Sequence, residues 1–323
     1  MIKLSIITIN YNDAEGLRKT LASVAMQTYA KIQHVIVDGN SSDTSKDIII
    51  DYAENTKNHN HEILWVSEPD KGIYNAMNKG IKMATGDYIQ ILNSGDLLAS
   101  NNVTEGMMTA LAAQCAEIKG NEEVKGYRLE VKGNENGEAD TPASHLSPLA
   151  SRLENCPEIF YGNMTKVNAD GQIVGKSGYT EYSLRQFYSS TLNHDCAYIR
   201  ANLFEEYGLY DENLKIVSDW KWYLQAIGLG RVKPEYVDID VTIFDDGGIS
   251  ETNLVLRNKE RRQVLEELLP PAVLWDYDTH AFEMEQMNRL RRWKLYPVVY
   301  FMERVCFKLE KWGLLGERLK VRG

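Results

Sequence analysis

The amino-acid sequence predicts an α/β protein built on a doubly wound, mostly parallel sheet. Short apolar runs at 4–9, 32–37, 63–66 and 88–92 are continuous rather than alternating, as in strands buried on both faces. Amphipathic stretches with helical spacing lie between them. This alternation is typical of βαβ units, and ligands of such sheets bind beyond the carboxyl ends of the strands.

The helices of this first part are predicted at 14–26, 43–53, 73–84 and near 102–117. The third has the clearest pattern, because Ile73, Met77 and Ile81 share one face while Asn78 and Lys79 lie opposite. Residues 119–155 are rich in Gly, Asn, Glu, Lys, Ser and Pro, and we expect a mobile insertion without its own core.

The second part resumes the strand and helix patterns. Strands are predicted at 159–161, 173–174 and 236–243, and a helix at 218–227. From residue 251 onward the pattern is helical and is interrupted by proline at 270–271 and 297.

Composition excludes several classes of protein. The chain of 323 residues is 43% hydrophobic, which suits a folded protein with an ample core. Its net charge of −10 argues against a nucleic-acid partner. Four scattered cysteines favour neither a disulfide scaffold nor a zinc site, so we expect a reducing compartment. The N-terminus is predicted to be a strand rather than a signal peptide, and no apolar run is long enough to span a membrane.

The last 37 residues differ from the rest in charge. Residues 287–323 contain ten Lys or Arg against three acids, interleaved with bulky apolar side chains such as Trp293, Phe301 and Phe307. Such helices lie in membrane interfaces and are drawn to anionic lipid. The alternative is that the apolar face packs on the rest of the chain or on a second copy of the chain in a homodimer.

Polar side chains follow three of the predicted strands. Tyr11 comes after the first strand, Asp38 ends the second, and the turn Asn93-Ser94-Gly95-Asp96 follows the fourth. An aromatic face and a carboxylate suit a nucleobase, through stacking and acceptance of a ring N–H. The alternative is that Tyr11 and Asp38 are turn and cap residues. No G-x-G-x-x-G, P-loop, G-x-S-x-G or H-E-x-x-H motif is present.

Several blocks, in order, resemble family 2 glycosyltransferases of the GT-A fold. The first part supplies LSIITINYN, SVAMQTY, VIVDGNSSD, EPDKGIYNAMNKGI and ATGDYIQILNSGD. The second supplies YGNMTKVNADGQIV, NHDCAYIRANLFEEYGLYDE, SDWKWYL and DDGGIS. The likeness covers 1–100 and 159–250, and it is greatest to the bacterial branch that builds capsules, O-antigens and other exopolysaccharides.

The resemblance implies a fold and an activity. A GT-A domain over 1–250 would combine a nucleotide-sugar-binding half (1–100) with an acceptor half (156–250), followed by a helical tail (251–323). The enzyme would transfer a sugar, with inversion, from a nucleotide donor, expected to be UDP-linked, to a saccharide or lipid-linked acceptor. It would act in the cytoplasm or on the inner face of the cytoplasmic membrane.

The resemblance also assigns residues. Asp219 matches the general base, although Ser218-Asp219 also reads as a helix cap. The expected donor-binding residues are Thr8, Asn10, Tyr11, Asp38, Asp70, Lys71, Asn78, Asn93, Ser94 and Asp96. The expected acceptor or diphosphate side comprises His194, Asp195, Trp220, Gly247 and Gly248. For His194 a purely structural role is the alternative, and for Gly247-Gly248 a plain turn.

The metal site departs from the family pattern. GT-A enzymes commonly carry an Asp-x-Asp turn, whereas Asp96 is the one carboxylate of the turn at 93–96. We expect a weak Mn²⁺ or Mg²⁺ site on Asp96 that the donor diphosphate completes. The alternative is a metal-free site in which Lys71 stabilises the leaving group. Two rival functions stay open: a catalytically silent nucleotide-sugar binder and a sugar-phosphate nucleotidyltransferase.

Overall fold

A nine-stranded sheet lies at the centre of the part of the chain that the structure describes. The structure is a computed structural model and describes residues 1–55, 61–124, 153, 156–168, 171–245 and 253–311. The strands are β1 (Leu4–Asn10), β2 (Ile32–Asp38), β3 (Glu62–Ser67), β4 (Tyr88–Ile91), β5 (Leu97–Leu98), β6 (Ile159–Val167), β7 (Ile173–Ser177), β8 (Ala197–Arg200) and β9 (Pro234–Asp245). Their order is β3-β2-β1-β4-β8-β6-β9-β5, with β7 paired to β6.

Ten α-helices accompany the sheet in the same described ranges. They are α1 (Ala14–Ala25), α2 (Ser45–Asn55), α3 (Ile73–Met83), α4 (Val103–Val124), α5 (Leu184–Ser189), α6 (Leu203–Glu206), α7 (Ser218–Tyr223), α8 (Leu254–Leu268), α9 (Pro271–Arg292) and α10 (Tyr296–Lys311). A π-helical turn (Leu224–Leu229) continues α7.

The first half of the sheet is parallel, as predicted. β1 pairs in parallel with β2 and β4, and β2 pairs in parallel with β3. The register places Asn10 beside Asp38 and Asp38 beside Ser67. The carboxyl ends of three strands therefore meet at one edge, where such sheets bind ligands.

The second half joins the first through an antiparallel contact. β8 runs antiparallel to both β4 and β6, and β9 runs parallel to β6. β5 then pairs antiparallel with β9, so the chain that leaves β4 returns to the far end of the sheet. This mixed sheet with helices on its faces confirms the predicted α/β class.

Burial explains the continuous apolar runs. Every residue of β1 and β2 is buried, so both faces of these strands are covered and neither alternates in polarity. Helix α3 covers one face with Tyr74, Met77 and Ile81. Gly80 permits its close approach, because a Cβ at this position would collide with the side chain of Ile7.

Most predicted elements agree with the structure in type, several strands are longer than predicted, and two helices differ in ways that bear on the predicted organisation. Helix α4 continues to Val124, and so includes the first residues of the predicted insertion at 119–155. Most of that insertion lies outside the described residues. The helix predicted at 218–227 changes from α- to π-helical hydrogen bonding after Tyr223.

A disulfide contradicts the expectation drawn from the cysteines. Cys115 on α4 bonds to Cys156, just before β6, across a sequence separation of 41 residues, while Cys196 and Cys306 are free thiols. Spacing along the chain did not predict this pair, because the packing of α4 beside the start of β6 brings the two residues together.

The chain divides into two compact units. The first is Met1–Arg261 and the second is Arg262–Gly323, so the division falls within α8. In the second unit, α9 and α10 carry the basic, apolar pattern. Among the described residues no helix combines the length and the hydropathy needed to cross a membrane.

Candidate active site

Asp38 organises the loops that follow β1 and β2. Its carboxylate accepts hydrogen bonds from Asn10 Nδ2 (2.8 Å), from the backbone N–H and hydroxyl of Ser41 (3.0 and 2.5 Å) and from Ser67 Oγ (2.7 Å). Burial raises the pKa of Asp38. The hydrogen bonds lower it by more than burial raises it, so the pKa lies below its ordinary value. Asp38 therefore makes the hydrogen bonds of a turn residue, as in the alternative interpretation given above. Its contact with a nucleobase stays a prediction.

The turn after β4 is shaped by a glycine. Gly95 has φ +97°, a left-handed conformation that strains any residue with a Cβ. Thr20 Oγ1 accepts the Gly95 N–H (3.0 Å) and donates to the Asp96 carbonyl (2.8 Å). Asp96 is 4% exposed, and its carboxylate accepts the Asn93 N–H at 3.2 Å. The conformation at position 95 thus explains why glycine occupies this place in the turn.

A cavity of about 330 Å³ opens where these loops meet, and we call it the strand-end pocket. Among the predicted donor-binding residues, Asn10, Tyr11, Asp70, Asn93 and Ser94 line it. Tyr11 is 66% exposed, so its ring is available for stacking.

The floor of this region is tightly packed. A Cβ on Gly39 would collide with the Asp70 carboxylate and come within 3.0 Å of the Tyr11 ring. The sequence Asp38-Gly39 therefore permits the loops after β1, β2 and β3 to converge.

Five predicted donor residues do not line this pocket, and two of them are Asp38 and Asp96, the buried carboxylates described above. Thr8 is buried in β1, and its hydroxyl is 3.0 Å from His34 Nε2 on the neighbouring strand. Asn78 is buried on α3 and bonds to the backbone of Tyr210 and to Glu212. Lys71 is exposed and lines neither pocket described in this section. Thr8 and Asn78 are positioned by strand pairing and helix packing, which the motif alone did not show.

Asp219 lies at the centre of a buried hydrogen-bonded chain. The Tyr74 hydroxyl donates to its Oδ1 at 2.9 Å, and His194 Nδ1 is 3.3 Å from its Oδ2. His194 Nε2 is in turn 3.1 Å from the side-chain nitrogen of Asn93. The N-cap of α7 is Val217, so Asp219 is within the helix rather than at its cap. The chain of contacts links Asp219 to the strand-end pocket, which Asn93 lines.

Electrostatics keep Asp219 ionised. Burial raises its pKa, but the hydrogen bonds and charge of His194 and the Tyr74 hydroxyl lower it below its ordinary value. Burial lowers the pKa of His194, while the hydrogen bond and charge of Asp219 and the charges of Asp195 and Asp96 raise it to about 9. Near neutral pH the pair is therefore an imidazolium and a carboxylate.

The protonation of His194 bears on the orientation of Asn93. An imidazolium donates from both nitrogens, so it requires an acceptor at Nε2. In the structure as oriented, Asn93 presents its nitrogen there, and its buried Oδ1 has no hydrogen-bond partner among the described residues. Exchanging the amide oxygen and nitrogen gives the imidazolium its acceptor, since amide orientation is assigned from the hydrogen-bond network.

A second cavity, of about 160 Å³, surrounds Asp219, and we call it the Asp219 pocket. The predicted residues His194, Asp195 and Trp220 line it, which brings them together with Asp219 as expected. Asp195 is buried and accepts a hydrogen bond from Thr242 Oγ1 at 2.6 Å. Trp220 is buried, and its indole N–H donates to the Phe187 carbonyl at 2.7 Å.

Sequence reasoning missed the cations of this pocket. Lys166 on β6 and Arg257 and Arg261 on α8 also line it. Tyr74, the partner of Asp219, was placed in the predicted motif but given no role. The spacing of four residues between the two arginines was visible in the sequence, but such pairs are common on solvated helix faces.

A buried carboxylate on α8 holds the segment before Asp219. Glu260 is 6% exposed and accepts the backbone N–H groups of Lys215 (2.8 Å) and Ile216 (2.9 Å). Both lie within four residues of Asp219. Glu260 is thus a positioning residue that lies within the predicted tail (251–323).

The charges suit a divalent cation that arrives with its phosphate ligands. Among the described residues, no group of three or more His, Cys, Asp and Glu side chains is arranged to hold a metal. The described lining of the strand-end pocket includes Asp13 and Asp70 and no Lys, Arg or His. A diphosphate there would need a counter-ion, and Mg²⁺ uses one or two carboxylates together with substrate phosphates. Gly247 and Gly248 lie outside the described residues.

Residues 5–118 match the family model described as glycosyl transferase family 2. The chain carries a family 2 glycosyltransferase domain. An uncharacterized glycosyltransferase of Mycobacterium tuberculosis is 37% identical to this chain over 112 residues, 34% of this chain and 40% of that protein. A PGL/p-HBAD biosynthesis glycosyltransferase of Mycobacterium bovis is 23% identical over 249 residues, 77% of this chain and 79% of that protein.

Two solved structures share the fold of this chain. TarS 1-349 of S. aureus in complex with UDP-GlcNAc has a TM-score of 0.55 and 18% identity, over 82% of this chain and 64% of that one. The mannosyltransferase PcManGT of Pyrobaculum calidifontis, in complex with GDP-Man and Mn²⁺, has a TM-score of 0.52 and 15% identity, over 82% of this chain and 64% of that one. The chain spans 40% of the length of the curated relatives that it matches first.

Proposed function

We propose that this protein transfers a sugar, with inversion, from a nucleotide-sugar donor to a saccharide or lipid-linked acceptor. The observation that carries the proposal is the buried chain from Asn93 through His194 to Asp219, which joins two pockets of a glycosyltransferase domain. One pocket suits a nucleotide, and the other contains an ionised carboxylate.

The chemistry needs one base. The Asp219 carboxylate takes the proton of the acceptor hydroxyl as its oxygen bonds to the anomeric carbon. The bond from that carbon to the donor diphosphate breaks on the opposite face, and its electron pair leaves with the nucleotide. Tyr74 and His194 hold the carboxylate in its ionised form before the reaction. A positioned base contributes about 10²–10⁴ in rate.

The donor is proposed to be UDP-linked. Exposed Tyr11 lies at the mouth of the strand-end pocket, where a base can stack on its ring. TarS, which shares the fold, forms a complex with UDP-GlcNAc, and PcManGT forms one with GDP-Man. The resemblance to enzymes of capsule and O-antigen synthesis supports a role in surface polysaccharide biosynthesis.

A nucleotide-sugar panel tests the donor proposal. A ligand present at about 100 times its dissociation constant should stabilise the protein by about 2.7 kcal/mol. We expect a UDP-sugar to raise the melting temperature most, and Tyr11→Ala to weaken this effect while the unliganded protein melts as before. A panel in which no nucleotide sugar shifts the melting temperature would contradict the proposal.

Metal removal is a second test. We expect excess chelator to abolish transfer and Mn²⁺ or Mg²⁺ to restore it, because the acidic lining of the strand-end pocket offers the diphosphate no counter-ion. Asp96→Ala should lose most activity, and without donor the protein should bind metal weakly. The activity of Asp96→Ala is compared with that of Asp70→Asn, which changes a carboxylate that lines the pocket. Full activity in excess chelator would favour the metal-free alternative.

The second unit is proposed to bind anionic membrane surfaces. On α10, Val298, Phe301 and Phe307 are 54%, 67% and 67% exposed, and Arg304 and Lys308 lie among them. A helix with exposed bulky apolar side chains and Lys or Arg suits the headgroup region of an anionic bilayer. A lipid-linked acceptor would make this location useful.

Liposome flotation measures this association. Vesicles with anionic lipid should carry the protein upward, and neutral vesicles should carry less of it. Changing Phe301 and Phe307 to Ser should reduce flotation without changing the melting temperature of the first unit. If the protein does not float, or floats equally after removal of 287–323, the apolar face packs on protein instead, including a second copy of the chain.

A further inference from the structure

The Asp219 pocket contains more positive charge than the mechanism uses. Arg257 and Arg261 line it one helical turn apart on α8, and Lys166 lines it from β6. All three belong to the first compact unit, together with Asp219. The proposed proton transfer to Asp219 needs none of these cations.

Arg261, the second arginine of the pair, is held in place. The Arg261 guanidinium lies 5.0 Å from the centre of the Trp220 ring, a cation–π distance, and Trp220 is fixed by its bond to Phe187. Arg261 Nε is buried and has no hydrogen-bond partner among the described residues. A fixed guanidinium with a donor to spare is suited to a planar or tetrahedral oxyanion.

The carboxylates of the pocket already have partners. Asp219 accepts from Tyr74 and lies against His194, while Asp195 accepts from Thr242. Burial lowers the pKa of Arg261, the charge of Arg257 lowers it further, and the charge of Asp219 raises it in part, so the two guanidiniums repel each other even beside this carboxylate. A bound anion would relieve this repulsion.

We propose that Arg257 and Arg261 bind an anionic group, a phosphate or a carboxylate, on the acceptor. The inference rests on the proposed function, in which the molecule in this pocket is the acceptor and its hydroxyl gives its proton to Asp219. An acceptor hydroxyl at Asp219 places its neighbouring groups within a cavity of about 160 Å³ that both arginines line. The enzyme therefore selects a charged saccharide or a phosphate-bearing carrier over a neutral sugar.

The donor diphosphate is the competing source of an oxyanion. It is disfavoured because the strand-end pocket, which Tyr11 and Asn93 line, offers about 330 Å³ of its own. Neither arginine lines that pocket in the described part of the chain. The donor and the acceptor anion would then meet across the contact between Asn93 and His194.

The test uses inorganic phosphate as the probe, titrated into the full chain with and without saturating UDP and followed by tryptophan fluorescence. Phosphate should bind in the presence of UDP. Arg257→Gln and Arg261→Gln should each weaken phosphate binding by about tenfold or more, since each loses a charge-assisted hydrogen bond. Lys259→Gln removes the same charge from an exposed position of α8 and should bind phosphate like the wild type. Parallel titrations with glucose 6-phosphate and glucuronate show which anion is preferred.

Two results would overturn the inference. Equal phosphate affinity in all four proteins would show that the arginines bind no anion. Displacement of phosphate by UDP, with weaker UDP binding in the arginine variants, would assign the site to the donor. A wild-type protein that binds phosphate but no nucleotide would instead contradict the proposed function, so the two failures are distinguishable.

Discussion

Asp219→Asn is expected to reduce sugar transfer by at least about a hundredfold while leaving the fold and donor binding intact. The amide keeps the size of the carboxylate and can still accept from the Tyr74 hydroxyl, but it cannot take the proton of an acceptor. Asp219 lines its own pocket and not the strand-end pocket, so nucleotide affinity should stay near that of the wild type. Single-turnover transfer and UDP titration measure the two effects separately.

Two comparison variants sharpen this result. Asp47→Asn removes a carboxylate from the exposed surface of α2 and should transfer at the wild-type rate. Tyr74→Phe removes one hydrogen bond to Asp219 but leaves the base, so its loss should be smaller than that of Asp219→Asn. Turnover by Asp219→Asn equal to that of the wild type would remove Asp219 from the mechanism. If the biological output also survived, the protein would be a silent nucleotide-sugar binder.

Two buried histidines are expected to give stability a maximum near pH 6.5. The pKa of His194 rises on folding from 6.5 to about 9, so its contribution is complete below pH 6.5 and is lost as the pH rises through 9. Burial and the charge of His61 lower the pKa of His34 to about 3, so its contribution is present above pH 6.5 and declines as the pH falls. Each effect amounts to about 3 kcal/mol across the accessible pH range.

Denaturant unfolding between pH 4.5 and 9.5 measures both histidines. His194→Gln should flatten the fall in the free energy of unfolding on the alkaline side. His34→Gln should leave that alkaline fall in place and flatten the fall on the acid side, so it is the control for His194→Gln. The slopes decide the outcome even if either variant is less stable overall. An alkaline limb that persists in His194→Gln would contradict the assignment of an imidazolium beside Asp219.

Local patterns determined much of the fold. Strands buried on both faces have continuous apolar runs, so β1, β2 and β4 and the helices between them were predictable. The polar residues after those strands were predictable for the same reason, because parallel strands end at a common edge. Asn10, Tyr11, Asn93 and Ser94 accordingly meet at the strand-end pocket, as expected.

Contacts between distant segments were decided by tertiary packing. Tyr74 meets Asp219 across 145 residues of sequence, and Asn93 meets His194 across 101. Periodicity reports which face of an element is buried, but not which element covers it. The disulfide between Cys115 and Cys156 is another contact of this kind, because the packing of a helix beside a strand sets the distance between the two residues.

The amino-acid sequence by itself determined the α/β class, the strand-end loops and Asp219 as the expected base. The tertiary structure decided what surrounds that base. It placed Thr8 and Asn78 in the packed interior, and it brought Arg257 and Arg261 from beyond the predicted domain into the Asp219 pocket. The physical reason is that a helical arginine pair has the same pattern in solvent and in a cavity, and only the packing around it distinguishes the two.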